Sequence, residues 1–188
     1  MHTELLRPSR EAKRARSEAP TTRTNLGTAL ALARSGRPVF PCDPDKRPLI
    51  PGGRNAATTD ERLIREWFAR WPDALASIPT GPESGLWVLD VDGEAGRRSL
   101  SVLLARLGLE HVADLSRVIV RTPSGGIHLY FRLGAGETPR TRPSDIAPGL
   151  DTRGIGGSIM APGNVLPNGR RYKLIDGADL PEMQEDAA

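Results

Sequence analysis

Apolar positions recur along the chain with helical spacing in some segments and with strand spacing in others. Residues 26–33 predict a helix that ends at Gly36, and residues 96–107 predict a second, amphipathic helix. A helix between them is expected to begin at the capping sequence Thr58-Thr59-Asp60-Glu61 and to end before Pro72.

Short apolar runs bounded by turn residues predict the strands. These predicted strands cover residues 38–40, 76–78, 86–92, 118–120, 127–133, 158–160 and 172–175. A proline-rich loop is expected at residues 41–55. Helices alternate with strands early in the chain and strands dominate late, which indicates an α+β fold with a mixed or antiparallel sheet.

The amino-acid composition limits the domain organisation, the cysteine chemistry and the location that we expect for this chain. A chain of 188 residues with 38% hydrophobic content can bury one substantial core. We expect a flexible polar arm at residues 1–24, one globular domain at residues 25–176 and an acidic tail at residues 177–188. The single cysteine, Cys42, excludes an intramolecular disulfide and a cysteine-rich zinc site. Since no apolar run is long enough for a bilayer, we expect a cytoplasmic protein with no membrane partner.

Two acidic residues end an apolar strand in Leu86-Trp87-Val88-Leu89-Asp90-Val91-Asp92-Gly93. Asp90 and Asp92 stand two positions apart, so we expect their carboxylates on one face of the strand. Like charges repel there, and Mg²⁺ or Mn²⁺ would relieve the repulsion by taking oxygen ligands. Taken alone, the pair is more typical of two acids that cap a strand at a turn.

A turn with two glycines precedes the predicted strand at residues 127–133. Gly125 and Gly126 allow backbone amides to approach an anion, and Ser124 adds a hydroxyl donor. Strand alternation predicts a core face formed by Ile127, Leu129, Phe131 and Leu133. His128 would then face the other way, within reach of the same anion or of a nucleotide. A hairpin with an exposed histidine is the simpler alternative.

A third polar group lies in the glycine-rich segment at residues 149–157. Asp151 could complete a metal site with the first two acids, and Arg153 could hold a phosphate with its planar guanidinium. An ordinary Asp–Arg ion pair in a loop is the alternative. Together the three motifs supply the groups that metal-dependent phosphoryl transfer requires.

The order of these motifs resembles the N-terminal domain of bifunctional DNA primase/polymerases, in the archaeo-eukaryotic primase superfamily. The similarity runs from VLDVD through TPSGGIHLYF and LDTRGIGG to MAPG and RRYKLI. It also includes GRPVFPCDPDKRPLI, ATTDERLIREWFARWPDA and SIPTG, and so covers roughly residues 25–175.

The resemblance implies an archaeo-eukaryotic primase-like core, in which an RNA-recognition-like sheet joins an N-terminal α/β unit and the active site lies between them. By motif, it implies that Asp90, Asp92 and Asp151 are catalytic metal ligands and that His128 is a catalytic residue contacting the nucleotide. It implies that the nucleotide's phosphates are bound by Ser124, Gly125, Gly126 and Arg153. Lys46, in a Lys-x-Pro-like segment, is expected to contact nucleotide or template.

The function implied is template-dependent nucleotidyl transfer, the joining of nucleoside triphosphates to a primer or initiating nucleotide by two-metal catalysis with Mg²⁺ or Mn²⁺. Expected partners are single-stranded DNA template, primer and NTP or dNTP, with a helicase or accessory helical domain supplied separately. The setting implied is replication of a phage or other mobile element. Candidates for template-backbone contacts are Arg121, Arg132, Arg140 and Arg142.

Two other functions remain open on the sequence. A nucleic-acid-binding module without catalysis would explain the basic segment at residues 121–173. A nucleotide-sugar glycosyltransferase would explain Asp90 and Asp92 as a metal–diphosphate clamp, but would leave His128 and Asp151 without a role.

Overall fold

The computed structural model describes residues 24–175. The predicted acidic tail and, except for Thr24, the predicted arm lie outside the described residues. The helices are α1 (Asn25–Arg34), α2 (Glu61–Arg70), α3 (Gly93–Leu107) and the short α4 (Val112–Leu115), with a 3₁₀ helix at Gly53–Ala56. The strands are β1 (Phe40–Cys42), β2 (Leu75–Pro79), β3 (Leu86–Val91), β4 (Val118–Arg121), β5 (Ile127–Arg132), β6 (Arg142–Ala147), β7 (Leu150–Arg153), β8 (Ser158–Met160) and β9 (Lys173–Ile175).

The strands form two antiparallel sheets. The smaller sheet has the order β1-β2-β8, and the larger sheet has the order β6-β7-β3-β5-β4-β9. Every pairing between these strands is antiparallel. The predicted α+β class and antiparallel sheet are therefore confirmed.

The larger sheet buries both of its faces. On one face, Leu89, Leu129 and Leu150 pack with Leu100 and Leu104 of α3. The opposite face is covered by the smaller sheet with α1 and α2, through a cluster that includes Val88, Ala29, Ile64 and Ile78. A further cluster joins the two sheets and contains Phe40, Cys42, Leu75, Val120, Met160 and Tyr172. Since Asp90 follows Val88 by two positions, its side chain emerges on the face toward the smaller sheet.

Buried polar side chains hold the crossing between the sheets in place. Asn164 is fully buried, and its side-chain amide exchanges two hydrogen bonds with the backbone of Ala76 in β2, at 2.9 and 2.7 Å. Thr80 donates its hydroxyl to the Gly154 carbonyl at 2.7 Å, just after β7. These bonds fix the segment that leaves the larger sheet and enters the smaller one.

The predicted helices are present, with shifted ends. Helix α2 is capped by Asp60, whose Oδ1 accepts from the amides of Arg62 and Leu63, so the predicted cap at Thr58 is wrong. The side chain of Thr58 instead accepts from the Asp60 amide. Helix α3 begins at Gly93 rather than Gly96, and Gly93 takes a positive φ of 63° directly after the N-cap Asp92.

The strand predictions missed two strands and displaced a third. Strand β6 is an exposed edge strand with Pro143 in it and an irregular register with β7, so it carries no apolar alternation. Strand β7 occupies part of the segment predicted as a glycine-rich loop. Strand β1 lies at Phe40–Cys42, so it shares Phe40 with the strand predicted at residues 38–40 and extends into the predicted loop, while Val39 forms only an isolated bridge to Thr58.

Candidate active site

Three adjacent strands bring Asp90, His128 and Asp151 side by side. Asp90 in β3 is the register partner of His128 in β5 and, on its other side, of Asp151 in β7. Directly opposed residues on one face of a sheet have Cβ atoms roughly 4.5–5.5 Å apart. Antiparallel register therefore assembles one polar cluster from three motifs that are distant in sequence.

Asp90 is the buried centre of this cluster. Its side chain is 8% exposed, and its Oδ2 accepts from Arg153 Nη2 at 3.0 Å and from Nε at 3.3 Å. Its Oδ1 has no hydrogen-bond partner within the described range, and His128 Nε2 lies 3.4 Å from it. Burial raises the pKa of Asp90, while the positive charge of Arg153 opposes that rise. Of the two oxygens of the Asp90 carboxylate, only Oδ2 is therefore paired with a positively charged group.

His128 is buried, which makes the alternative of an exposed hairpin histidine wrong. It is 3% exposed, and its ring centroid lies 5.8 Å from that of Tyr172. Burial, aided by the positive charge of Lys46, lowers the pKa of His128 to about 3. Nδ1 is buried without a hydrogen-bond partner in the part of the chain that the structure describes. The imidazole is therefore neutral near pH 7 and has one ring nitrogen free to bond a ligand.

Arg153 links the two acids that face each other across β3 and β7. Its Nη2 donates to Asp151 Oδ2 at 2.9 Å as well as to Asp90. Asp151 Oδ1 accepts from the Ser144 amide at 2.8 Å, and Ser144 takes a positive φ of 46° within β6. Among residues 24–175, no three histidine, cysteine or acidic side chains are grouped so that they could hold a metal ion. The metal site of three carboxylates thus stays a prediction, and an arginine occupies the space between two of its members.

Asp92 lies just past the end of β3, at the N-cap position of α3, and not on the strand face. It is exposed, and its side chain makes no capping hydrogen bond. Its amide donates to the Gly149 carbonyl at 3.0 Å. Partial burial and then the nearby charge of Asp90 raise the pKa of Asp92. The carboxylate is held beside Asp90 while remaining open to solvent.

The glycine turn lies against Asp92. The Thr122 amide donates to the Gly126 carbonyl at 2.9 Å, which closes the turn. A Cβ on Gly126 would come 2.8 Å from Asp92 Oδ1 and 2.6 Å from the Val91 carbonyl oxygen. Ser124 and Gly125 are exposed, and the Ser124 hydroxyl lies 2.9 Å from that of Thr122. The turn thus presents open backbone immediately beside an acidic residue.

Lys46 reaches the same cluster from the loop after β1. It is exposed and adopts a positive φ of 69°, a conformation that is uncommon for a non-glycine residue. Its charge acts to lower the pKa of Asp90, of Asp92 and of His128. The structure therefore brings Lys46 into electrostatic contact with the residues of the first two motifs.

The four arginines predicted to contact template are scattered. Arg132 is paired with Leu86, at the far end of β3 from Asp92, and Arg142 forms an ion pair with Asp145 at 3.5 Å. The backbone of Arg140 forms an isolated parallel β-bridge with Ile155. Arg121 alone of the four is register-paired with Ile127, the first residue after the glycine turn.

Several contributors to this region were missed by the motif analysis. The Ser144 amide orients Asp151, Tyr172 packs against His128, and Arg170 donates to the Pro123 carbonyl at 3.1 Å. Arg170 and Tyr172 belong to the RRYKLI motif, which could have pointed to them. Ser144 carried no comparable signal, because its role depends on a backbone amide in an edge strand.

Comparison with protein families gives a match. The family model described as bifunctional DNA primase/polymerase, N-terminal, matches residues 29–185. No curated protein matches the chain. Among the described helices, none is long and apolar enough to cross a membrane.

Proposed function

We propose that this chain, which belongs to the family of bifunctional DNA primase/polymerase N-terminal domains, joins nucleoside triphosphates to a primer or initiating nucleotide on a DNA template. Family membership implies DNA primase/polymerase activity, DNA and nucleotide substrates, and a divalent metal. The observation that carries the proposal is the register of Asp90 with both His128 and Asp151, beside the turn at Gly125 and Gly126. Membership also favours this function over a glycosyltransferase.

The chemistry of the acidic side chains suits Mg²⁺ or Mn²⁺, although no three of the described histidine, cysteine or acidic side chains are grouped so that they could hold an ion. Asp90 Oδ1 is buried without a hydrogen-bond partner among the described residues, and the Asp92 carboxylate has no capping bond. Carboxylate oxygens are the ligands that these hard cations prefer. Asp90, Asp92 and Asp151 would hold the metal, which in two-metal catalysis lowers the pKa of the attacking hydroxyl and neutralises charge on the departing pyrophosphate.

The remaining residues of the cluster would bind and orient the nucleotide. The turn at Ser124, Gly125 and Gly126 would present the exposed Ser124 hydroxyl and glycine backbone to the triphosphate, and the Gly125 amide, which donates to the Thr122 carbonyl at 3.1 Å, would have to change partner to contribute. Lys46 adds a positive charge near Asp90, Asp92 and His128. His128 is neutral near pH 7, so it would act as a hydrogen-bonding group that orients the nucleotide rather than as a cation.

The test is incorporation of labelled NTP or dNTP on single-stranded DNA, with and without primer, with Mg²⁺ or Mn²⁺. Asp90→Asn keeps the shape of the side chain and removes its charge, and we expect incorporation to fall by at least about 100-fold. Glu110→Gln is the matched control, because Glu110 follows the C-terminal end of α3, and the helix extends about 20 Å from the end next to Asp92. Full incorporation by Asp90→Asn would contradict the proposal. DNA binding without any incorporation would favour the non-catalytic module.

A further inference from the structure

We propose that Arg153 acts as an internal counter-cation that occupies the space between Asp90 and Asp151 and must release both before a divalent cation binds there. The inference rests on the metal site of the proposed function. It adds a competition between a side chain of this protein and the metal.

The contacts of a single nitrogen carry the argument. Arg153 Nη2 lies 3.0 Å from Asp90 Oδ2 and 2.9 Å from Asp151 Oδ2. A Mg²⁺ ion bonded to the same two oxygens would need to approach each to about 2.0–2.1 Å. Because the nitrogen already lies between these oxygens and carries the same sign of charge, the two cannot share the position.

Differences in burial show which partner can move. The side chain of Arg153 is 32% exposed, whereas that of Asp90 is 8% exposed. The backbone of Arg153 is fixed by its pairing with Val88 in β3, so release requires only rotation of the side chain toward solvent. Asp90 stays in place throughout.

Arg153 also leaves the buried acid incompletely compensated. Its bonds go to Asp90 Oδ2, while Oδ1 has no hydrogen-bond partner in residues 24–175. An unpaired carboxylate oxygen at a buried position is costly. The arginine-bound arrangement is therefore a state that a metal, with more coordination positions, can replace.

Release of Arg153 has a consequence for nucleotide binding. A free guanidinium presents a planar set of donors that matches a phosphate. A nucleotide that engages Arg153 would remove the competitor from the acids, so nucleotide and metal would each strengthen binding of the other. Without nucleotide, the affinity for metal is held low.

The first experiment measures Mn²⁺ binding to the nucleotide-free protein by electron paramagnetic resonance. Arg153→Lys keeps the charge but cannot reproduce the shared guanidinium contacts, and we expect Mn²⁺ affinity to rise about 5- to 10-fold; Arg153→Gln should raise it further. Lys46→Gln is the matched control, since it removes one nearby positive charge and no hydrogen bond to the acids. The Mn²⁺ affinity of Lys46→Gln should rise less than the Mn²⁺ affinity of Arg153→Gln.

The second experiment follows the Arg153 Nε–H resonance by NMR while Mg²⁺ is added. This N–H donates to Asp90 Oδ2 at 3.3 Å, so the metal should shift it and speed its exchange with water.

The outcomes separate this inference from the proposed function. Mn²⁺ bound with equal affinity by wild type and Arg153→Lys, and weakened by Asp90→Asn, would keep the metal site and overturn the role of Arg153. Equal gains in Arg153→Gln and Lys46→Gln would reduce the effect to general electrostatics and also overturn it. Failure of wild type and both Arg153 variants to bind Mn²⁺ would contradict the metal site itself.

Discussion

Asp90 and His128 meet across β3 and β5 with His128 Nε2 3.4 Å from Asp90 Oδ1, a contact between a neutral imidazole and a buried carboxylate. Neither Asp90 Oδ1 nor His128 Nδ1 has a hydrogen-bond partner in the described part of the chain. Two buried polar atoms without partners, one in each residue of this pair, cost stability in the folded protein. Such an arrangement is typical of a site built for a ligand.

The buried imidazole should make stability depend on pH. Because the pKa of His128 falls to about 3 in the folded protein, from an ordinary 6.5, the unfolded chain takes up this proton first as pH falls. The native state therefore loses stability as pH drops below about 6.5, by about 1 kcal/mol between pH 7.5 and 5.5. Urea unfolding at both pH values measures this loss.

The control for this prediction is His128→Gln, which cannot titrate. The pKa of Asp90 is raised, so that group takes up its proton first in the folded state and acts in the opposite direction in both proteins. The difference between wild type and variant isolates the histidine. An identical pH dependence in the two proteins would show that His128 is not held neutral by burial.

The sequence predicted the helices and strands that show a clear apolar periodicity within their own segment. Helix α3 and strands β3 and β5 carry strong apolar periodicity, and all three were found close to their predicted bounds. The motif residues Asp90, His128 and Asp151 were also selected from local patterns. What could not be predicted was their register, since which residues face each other depends on pairing between distant segments.

The environment of Asp151 shows why the contacts between the motif residues and their neighbours were not predicted. Its partner amide belongs to Ser144, in an exposed edge strand that has neither alternation nor β-branched enrichment. The sequence offered a phosphate or an Asp–Arg ion pair for Arg153; the structure shows the ion pair with Asp151, on a strand rather than in a loop, and adds a second one with Asp90. The nearest opposite charges determine the position of this long side chain.

Asn164 should be essential for folding although it lies outside the candidate site. Asn164→Asp would replace the amide that donates to the Ala76 carbonyl and would place a charge at a fully buried position. We expect the free energy of unfolding to fall by about 3 kcal/mol or more. Asn168→Asp is the matched control, because Asn168 is exposed and only accepts, from the Arg170 amide. Chemical denaturation that showed equal, small losses would contradict the role of Asn164.

Cys42 should be unreactive in the folded protein. It is 1% exposed, and burial raises the pKa of its thiol to about 12, so little thiolate forms at pH 8. Since the chain has one cysteine, labelling of the whole protein by a thiol reagent reports on this residue alone. We expect labelling to be slow in buffer and fast in denaturant. Rapid labelling of the native protein would contradict burial of β1.

Gly96 should position Asp92 without touching any ligand. A Cβ at this residue would come 2.5 Å from the Gly149 carbonyl oxygen, which also accepts from the Asp92 amide. Gly96→Ala should therefore displace Gly149, lower the free energy of unfolding by about 1–3 kcal/mol and weaken Mn²⁺ binding.

The same substitution at Gly27 provides the control for Gly96→Ala. In α1, a Cβ on Gly27 would meet only the flexible Thr24 side chain, at 3.3 Å, and alanine favours a helix by about 1 kcal/mol over glycine. Gly27→Ala should thus be neutral or stabilising and leave Mn²⁺ binding unchanged. If Gly96→Ala behaved in the same way, the close approach of α3 to the β6–β7 turn would not be what holds Asp92 beside Asp90.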